Sequence, residues 1–424
     1  MNAIFLGIVL IAFATAAWRQ LFLPPAEPSP MDALTTAMVE SAAGSVELAL
    51  GLIGVMALFL GLMKVAEEGG LLTILARLIR PLMVRLFPDV PAEHPAMGAM
   101  ILNISANALG LGNAATPFGI RAMQELDRLN PRPGTATDSM VLFLAINTSS
   151  VTLLPTGVIA LRAAAGSADP AGILPTTLFA TLCSTAVAIG AALFFRRFFP
   201  LGEAQAVSAA EERPADEPLP QAGGESYPLW VSFTALFGLL ALIPLSILYG
   251  KQIAPWILPG LMVGFLLFGV LRGVAVYEAF VEGAKEGFQV AVRIIPYLVA
   301  ILVAVGMFRA SGAMDAVVGT IGQWTAALGL PAEALPMALL RPLSGSGAYG
   351  VMASIINDPA IGPDSYTGYL VSTLQGSTET TFYVLAVYFG AVQVRRIRHA
   401  LVAALSADVA GVIAAVAACL YLFG

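Results

Sequence analysis

Four short polar stretches, each set in apolar surroundings, hold the residue types able to do chemistry. Residues 102–117 (LNISANALGLGNAATP) carry Asn103, Ser105, Asn107, Asn113 and Thr116 among glycines and a proline. Gly and Pro interrupt a helix and free N–H and C=O groups; the neighbouring amides and hydroxyls can coordinate an ion or hydrogen-bond a polar solute. Residues 341–350 (RPLSGSGAYG) offer Arg341, Ser344 and Ser346, with glycines that let backbone approach a ligand closely. Arg341 suits an anionic substrate group, and equally a boundary side chain that snorkels to headgroups. The third stretch places Asn147, Thr148, Ser149, Ser150 and Thr152 before Pro155, and the fourth places Gln375, Ser377, Thr378, Glu379 and Thr380 around Gly376. Such groups can also serve only as glue between helices, but their density here favours a binding site for substrate or ion.

Glu379 is the most informative of these residues. A carboxylate in mid-span costs about 2.5 kcal/mol or more unless it is paired, protonated or wetted. Its repeat counterpart is the apolar Val151, so helix geometry does not demand a charge there. It can act as a proton carrier, a sodium ligand or a contact to a substrate amine or hydroxyl; the plainer role is a protonated glutamate bonded to a neighbouring hydroxyl. No catalytic set accompanies it. His94 and His399, the two histidines, lie outside the polar stretches and lack a second ligand at metal-binding spacing. Cys183 and Cys419 lie far apart in apolar stretches and read as free thiols. The chain contains no phosphate-binding G-x-x-x-x-G-K-[ST] loop. An enzyme, a metal site and a nucleotide-driven pump are therefore not expected. No cofactor is expected either, with sodium ions or protons as the coupling species.

The elements that must position these residues are membrane helices. Hydrophobic residues make up 58% of 424 positions and charged residues 11%, where a soluble domain carries about 25% charged. Long runs rich in Leu, Ala, Val and Ile predict helices rather than barrel strands. Spans are expected at 3–23, 44–64, 138–165, 173–196, 229–249, 254–271, 289–308, 365–391 and 400–423, with apolar but broken segments at 71–118 and 313–357. Residues 4–17 lack the basic region of a signal peptide and read as part of the first transmembrane helix. Segments 31–43 and 276–288 are amphipathic and are expected along opposite membrane surfaces. A net charge of -6 leaves no basic face for nucleic acid; the expected partners are the lipid bilayer and a small polar solute, with a homo-oligomer left open.

The chain reads as two halves. Residues 1–200 and 228–424 form the membrane halves, and 201–227, acidic and rich in Pro and Ala, reads as a solvated cytoplasmic linker. At an offset of 245, the run ending GLMK (Gly61–Lys64) matches the run ending GMFR (Gly306–Arg309). Further on, SANALG (Ser105–Gly110) faces SGSGAY (Ser344–Tyr349), and NTSSVT (Asn147–Thr152) faces QGSTET (Gln375–Thr380), in the same order. Lys64, Arg77, Arg80 and Arg85 mark one end of the first repeat's leading span as cytoplasmic, while the equivalent end of the second has no basic excess. Arg395, Arg396 and Arg398, with Arg196 and Arg197, mark other ends as internal, so the repeats are expected in opposite orientations; Arg19 is a dissenting outer charge. Inverted repeats with interrupted helices point to a secondary transporter whose site lies near the bilayer midplane. The fold class expected is an all-α polytopic membrane protein with two inverted-topology repeats, broken helices and helical hairpins.

Asn107–Leu126 (NALGLGNAATPFGIRAMQEL) resembles the signature stretch of spore maturation protein A, and residues 341–352 (RPLSGSGAYGVM) with 374–400 resemble spore maturation protein B. The resemblance covers nearly the whole chain, with the linker joining two halves that are often separate proteins. Both families belong to a grouping with a nucleoside-recognition, or gate, domain shared with concentrative nucleoside transporters and ferrous iron transporter B. The resemblance implies a fold distantly like the concentrative nucleoside transporters and a place in the bacterial cytoplasmic (inner) membrane. It leaves the substrate open. The expected function is alternating-access transport of a small polar solute coupled to sodium or protons; the competing expectation is a non-transporting assembly factor in envelope or spore-cortex maturation.

Overall fold

The computed structural model describes residues 2–24, 27–201, 227–317, 319–320 and 323–424, so nearly all of the expected linker lies outside the described residues. Among these residues no strand forms beyond a single bridge between Thr135 and Arg396. The first half runs α1 (Asn2–Phe22), α2 (Pro30–Glu68), α3 (Leu71–Leu86), α4 (Pro95–Ala108), α5 (Gly112–Arg128), α6 (Asp138–Thr148), α7 (Thr156–Ala164) and α8 (Leu174–Phe195). The second runs α9 (Leu229–Leu271), α10 (Val276–Ala310), α11 (Ala313–Val317), α12 (Gln323–Ala326), α13 (Leu335–Leu340), α14 (Gly345–Ile356), α15 (Tyr366–Ser377), α16 (Thr381–Ala391) and α17 (Ala400–Phe423). Among the described residues four helices are long and apolar enough to cross a membrane, and the protein is a multi-pass, all-helical membrane protein.

Counterpart helices of the two halves pack side by side and run antiparallel. A side chain added at Gly283 would meet Leu60 and Lys64, one at Gly287 would meet Met56 and Ala57, and one at Gly306 would meet Ala37 and Ser41. Residue numbers thus fall along α2 as they rise along α10. The helices α8 and α17, which occupy the same place in each half, behave alike: Thr373 bonds both Thr176 and Cys419, while Ser184 Oγ donates to the Ala407 carbonyl at 2.8 Å. Counterparts related in this way are what a twofold axis in the membrane plane produces, so the repeats are inverted.

Two expectations change. The amphipathic segments 31–43 and 276–288 do not lie on opposite membrane surfaces; they are the first turns of α2 and α10, and each packs on the span of the other. Their polar–apolar alternation marks a helix–helix seam, and glycines at 61, 283 and 287 let the backbones approach. The spans expected at 229–249 and 254–271 belong to a single helix in backbone hydrogen bonding. Straight, α9 would extend roughly 1.5 Å per residue, too far for Ser232 Oγ to reach the Leu78 carbonyl while Arg272 Nε reaches that of Gly69. It therefore bends back into two arms.

The ends of the bundle are tied by charge. At one end Arg398 donates to Asp138 at 2.7 Å and to the Ala136 carbonyl, while Ala136 N–H donates to the Arg396 carbonyl. Beside this clamp His399 is buried at the start of α17. Burial first, and the neighbouring Arg398 charge second, hold its imidazole below the usual value, against a smaller opposing pull from Asp138. At the opposite end Arg162, fully buried, donates to the carbonyls of Pro363 and Asp169 and to Asp364, and lies 4.2 Å from the Tyr369 ring.

Two outcomes follow. Gly287→Ala places a Cβ 2.7 Å from the backbone nitrogen of Ala57 and is expected to lower the melting temperature in detergent, an overpacking cost of about 1–3 kcal/mol. Gly190→Ala meets nothing within 4 Å and should leave it unchanged or raised. For His399, the unfolded chain takes up the proton first as pH falls, so the stability contributed by the neutral ring is lost below about pH 6.5. Melting temperature followed from pH 8 downwards should decline less steeply in His399→Gln than in the parent.

Candidate functional site

Both halves build the same device: a helix stops about halfway across the bundle, and a hairpin tip packs against the break. In the first half α6 stops at Thr148 and α7 resumes at Thr156. The polar residues ending α6 bond back to their own helix: Asn147 Nδ2 to the Phe143 carbonyl, and Thr148 Oγ1 and Ser149 Oγ to that of Ala145. Such local bonds compete with the helical ladder, and Pro155 has no N–H to continue it. In the second half α15 stops at Ser377 and α16 resumes at Thr381, with Thr378 fully extended.

Buried backbone groups at a break must find partners, and they do. The Leu153 N–H donates to the Ala108 carbonyl at the α4–α5 tip. Gly110 there takes a left-handed φ of 75°, and a Cβ on it would lie 2.5 Å from the Leu154 carbonyl oxygen; the turn and the close approach both require glycine. At the α13–α14 tip Arg341 caps the end of α15: Nε donates to the Gln375 carbonyl at 3.0 Å, one terminal nitrogen to Thr380 Oγ1 at 3.1 Å, and the other to the Thr378 carbonyl. The breaks also join each other directly, Glu379 N–H donating to the Thr148 carbonyl at 2.9 Å.

Above this crossing a polar network links the first hairpin to α6 and α16. Asn107 Nδ2 donates to Asn147 Oδ1 at 2.9 Å; Asn103 Nδ2 donates to the Ala115 carbonyl and to the Tyr388 hydroxyl, which reaches Asn147 Oδ1 at 3.4 Å. Among the described residues Asn103 Oδ1, in this network, is buried without a hydrogen-bond partner, as are Ser105 Oγ elsewhere on α4 and Gln375 Oε1 on α15. They are free to accept from, or donate to, something that enters.

The expected residues thus divide. Asn103, Asn107, Asn147, Arg341, Gln375, Thr378, Glu379 and Thr380 gather around the crossed breaks, while Ser105 is buried on the side of α4 away from Asn103. Thr148, Ser149 and Ser377 commit their hydroxyls to carbonyls of their own helices, Ser377 to Leu374. Ser150 is buried within the first break, and Thr152 donates to its carbonyl. Ser344 caps α14, accepting from the Gly347 N–H at 3.0 Å; Ser346 sits on the next turn and Thr116 on the first turns of α5, both half-buried. The Asn113 side chain lies outside the described residues.

Arg341 departs from expectation, and Glu379 is paired and open. Arg341 is neither open to an anionic substrate nor snorkelling: it is 6% exposed and bonded to the chain's own carbonyls, because the freed end of α15 presents the negative pole of a helix dipole. Glu379 is not enclosed: the break turns its side chain outward, 48% exposed and 3.5 Å from Arg341. Tyr388 and Asp408 are not singled out by the sequence, and Thr381 is legible only as the end of the fourth polar stretch. Tyr388 sits in an unremarkable apolar run, yet its hydroxyl bridges two asparagines. Thr381 donates to Asp408 at 2.7 Å, and Asp408 is a buried carboxylate on α17. An Asp inside an otherwise apolar span was the signal available for it.

Hairpin tips set against paired helix breaks, within an all-helical bundle, define a membrane protein of the transporter-like class. A family model described as Gate, nucleoside recognition, matches residues 49–165 and 291–395. Spore maturation protein A of Bacillus subtilis (strain 168) is 47% identical over 163 residues, covering 38% of this chain and 82% of that protein. Spore maturation protein B of the same strain is 46% identical over 167 residues, covering 39% of this chain and 93% of that protein. The chain belongs to the Gate family of nucleoside-recognition membrane proteins, together with spore maturation proteins A and B. Among solved structures it is similar to a CNTnw variant in an outward-facing state (TM-score 0.43, 15% identity, 99% of this chain and 91% of that one). It is also similar to the Alcanivorax borkumensis YdaH transporter (TM-score 0.34, 16% identity, 96% and 97%). These superpositions are too loose to give any residue a role.

Arg341→Lys tests the cap. A lysine cannot reach the same set of acceptors in the fixed geometry of a guanidinium, so a loss of about 1.5–3 kcal/mol is expected. Hydrogen exchange should rise at residues 375–382 and stay unchanged at 105–111, as followed by mass spectrometry in detergent.

Proposed function

We propose that the protein is a secondary transporter, or permease, for a small polar solute, working by alternating access. The observation that carries this reading is the crossing of the two breaks, where Glu379, half-exposed, bonds through its backbone to Thr148, next to the buried network of Asn103, Asn107, Asn147 and Tyr388. Asn107, Asn147 and Gln375 supply donors and acceptors of the kind a nucleoside, amino acid or short peptide would use. The two hairpins and broken helices would move as a unit against the scaffold of α2, α10, α8 and α17, and the membrane would be the bacterial cytoplasmic one. Coupling to sodium or protons would pass through Glu379, because its carboxylate is half-exposed beside Arg341 at the joint of the second break. The spore maturation names of the curated relatives favour a second reading, a non-transporting assembly factor of the envelope or spore cortex.

A thermal-shift screen of the purified protein separates the two. Nucleosides, amino acids, short peptides, sugars and organic acids would each be run in sodium and in potassium. A ligand at 100 times its dissociation constant stabilises by about 2.7 kcal/mol. The transport reading expects one class to raise the melting temperature, with the shift reduced in Glu379→Gln. A blank panel with folded protein would favour the assembly factor.

A further inference from the structure

Asp408, one layer behind the second break, is the one acidic side chain in α17, buried nine residues into a helix that crosses the membrane. It is 4% exposed. Its Oδ2 accepts from Thr381 Oγ1 at 2.7 Å, and its Oδ1 is buried without any hydrogen-bond partner. A half-satisfied carboxylate at that depth costs several kcal/mol, so something must meet the orphan oxygen.

The surroundings decide what. Arg341 is the charged group near enough to act on Asp408, but its nitrogens are bonded to Gln375, Thr378 and Thr380, and its ion pair is with Glu379. Across from Asp408, α8 presents Ser184, whose hydroxyl already donates to the Ala407 carbonyl. One turn on, Gly411 faces the methyl of Thr378 and both the Cβ and the Oγ of Ser184, the same hydroxyl that is committed to Ala407. From α16 the Thr381 hydroxyl supplies the hydrogen bond to Oδ2. Sodium or potassium would need several oxygens converging on one point, as hard cations do, and these neighbours supply no such cage. A single proton on Oδ1 needs none.

We propose that Asp408 is a proton-binding site: water delivers a proton to Oδ1, an O–H bond forms there, and the reverse step returns the proton to water. The placement gives the proton a consequence. Thr381 is the first residue of α16, directly after the extended joint 378–380 that Arg341 holds. With Asp408 neutral, Arg341 stays on the joint and on Glu379. With Asp408 ionised, a buried anion competes with Glu379 and the joint's carbonyls for the same guanidinium, loosening the break. Proton loss at Asp408 and the grip of Arg341 on the second break are therefore opposed. Only this consequence rests on the transport reading; the site itself does not.

Infrared difference spectroscopy on the full chain in lipid, stepped from acid to alkaline pH, reads the site without any solute. The expected result is a protonated-carboxyl C=O band that disappears on alkalinisation, is missing in Asp408→Asn and persists in Glu379→Gln. Thr381→Val should move the same band by removing the hydroxyl bonded to Oδ2, which serves if Asp408→Asn does not fold. A carboxyl band unaltered in both Asp408→Asn and Thr381→Val would overturn the proposal. So would a band abolished by sodium at constant pH, which would assign the site to a cation. A band that behaves as expected alongside a blank ligand screen would leave the proton site standing and remove only the transporter.

Discussion

Backbone hydrogen bonds that a helix leaves unmade inside a bilayer have no water to turn to, and this constraint organises the centre of the protein. Breaking α6 and α15 within the bundle frees carbonyls and N–H groups on both sides of each gap. The partners come from the hairpin tips: Ala108 accepts from Leu153 in one half, and Arg341 donates to Gln375 and Thr378 in the other. Breaks and tips cannot be understood separately. Each hairpin is needed because of its break, and the bond from Glu379 to Thr148 makes the two breaks one structure.

The inverted repeat makes such a crossing available. Because α2 runs antiparallel to α10, and α8 to α17, the two broken helices enter the centre from opposite sides and meet near their gaps. The symmetry is one of backbone and not of chemistry. The first gap is lined by amides and hydroxyls, with Asn107 and Asn147 bonded across it. The second carries charge: Arg341, Glu379 and, one layer behind, Asp408.

Much of this was legible in order along the chain. The four polar stretches, the repeat and the presence of breaks follow from residue type, because Gly, Pro, Asn and Ser in an apolar run have few reasons to be there. What each polar residue does was not legible. Thr148, Ser149 and Ser377 satisfy their own helices instead of a ligand, a choice set by rotamers and local backbone. Arg341 reads in sequence as an anion contact or a snorkelling boundary residue and is instead a cap, since the helix end it serves lies more than thirty residues away in sequence. The amphipathic segments misled because polar–apolar alternation looks the same whether the other face meets headgroups or a second helix.

Composition and periodicity by themselves determined that the chain is helical, membrane-embedded and duplicated, because hydrocarbon permits so few backbone solutions. Tertiary structure alone decided which polar atoms are left without partners, that Glu379 faces outward, and that Tyr388 and Asp408 belong to the centre. The reason is physical: desolvation and hydrogen bonding depend on distances between helices that are remote in sequence, and no local pattern encodes those distances.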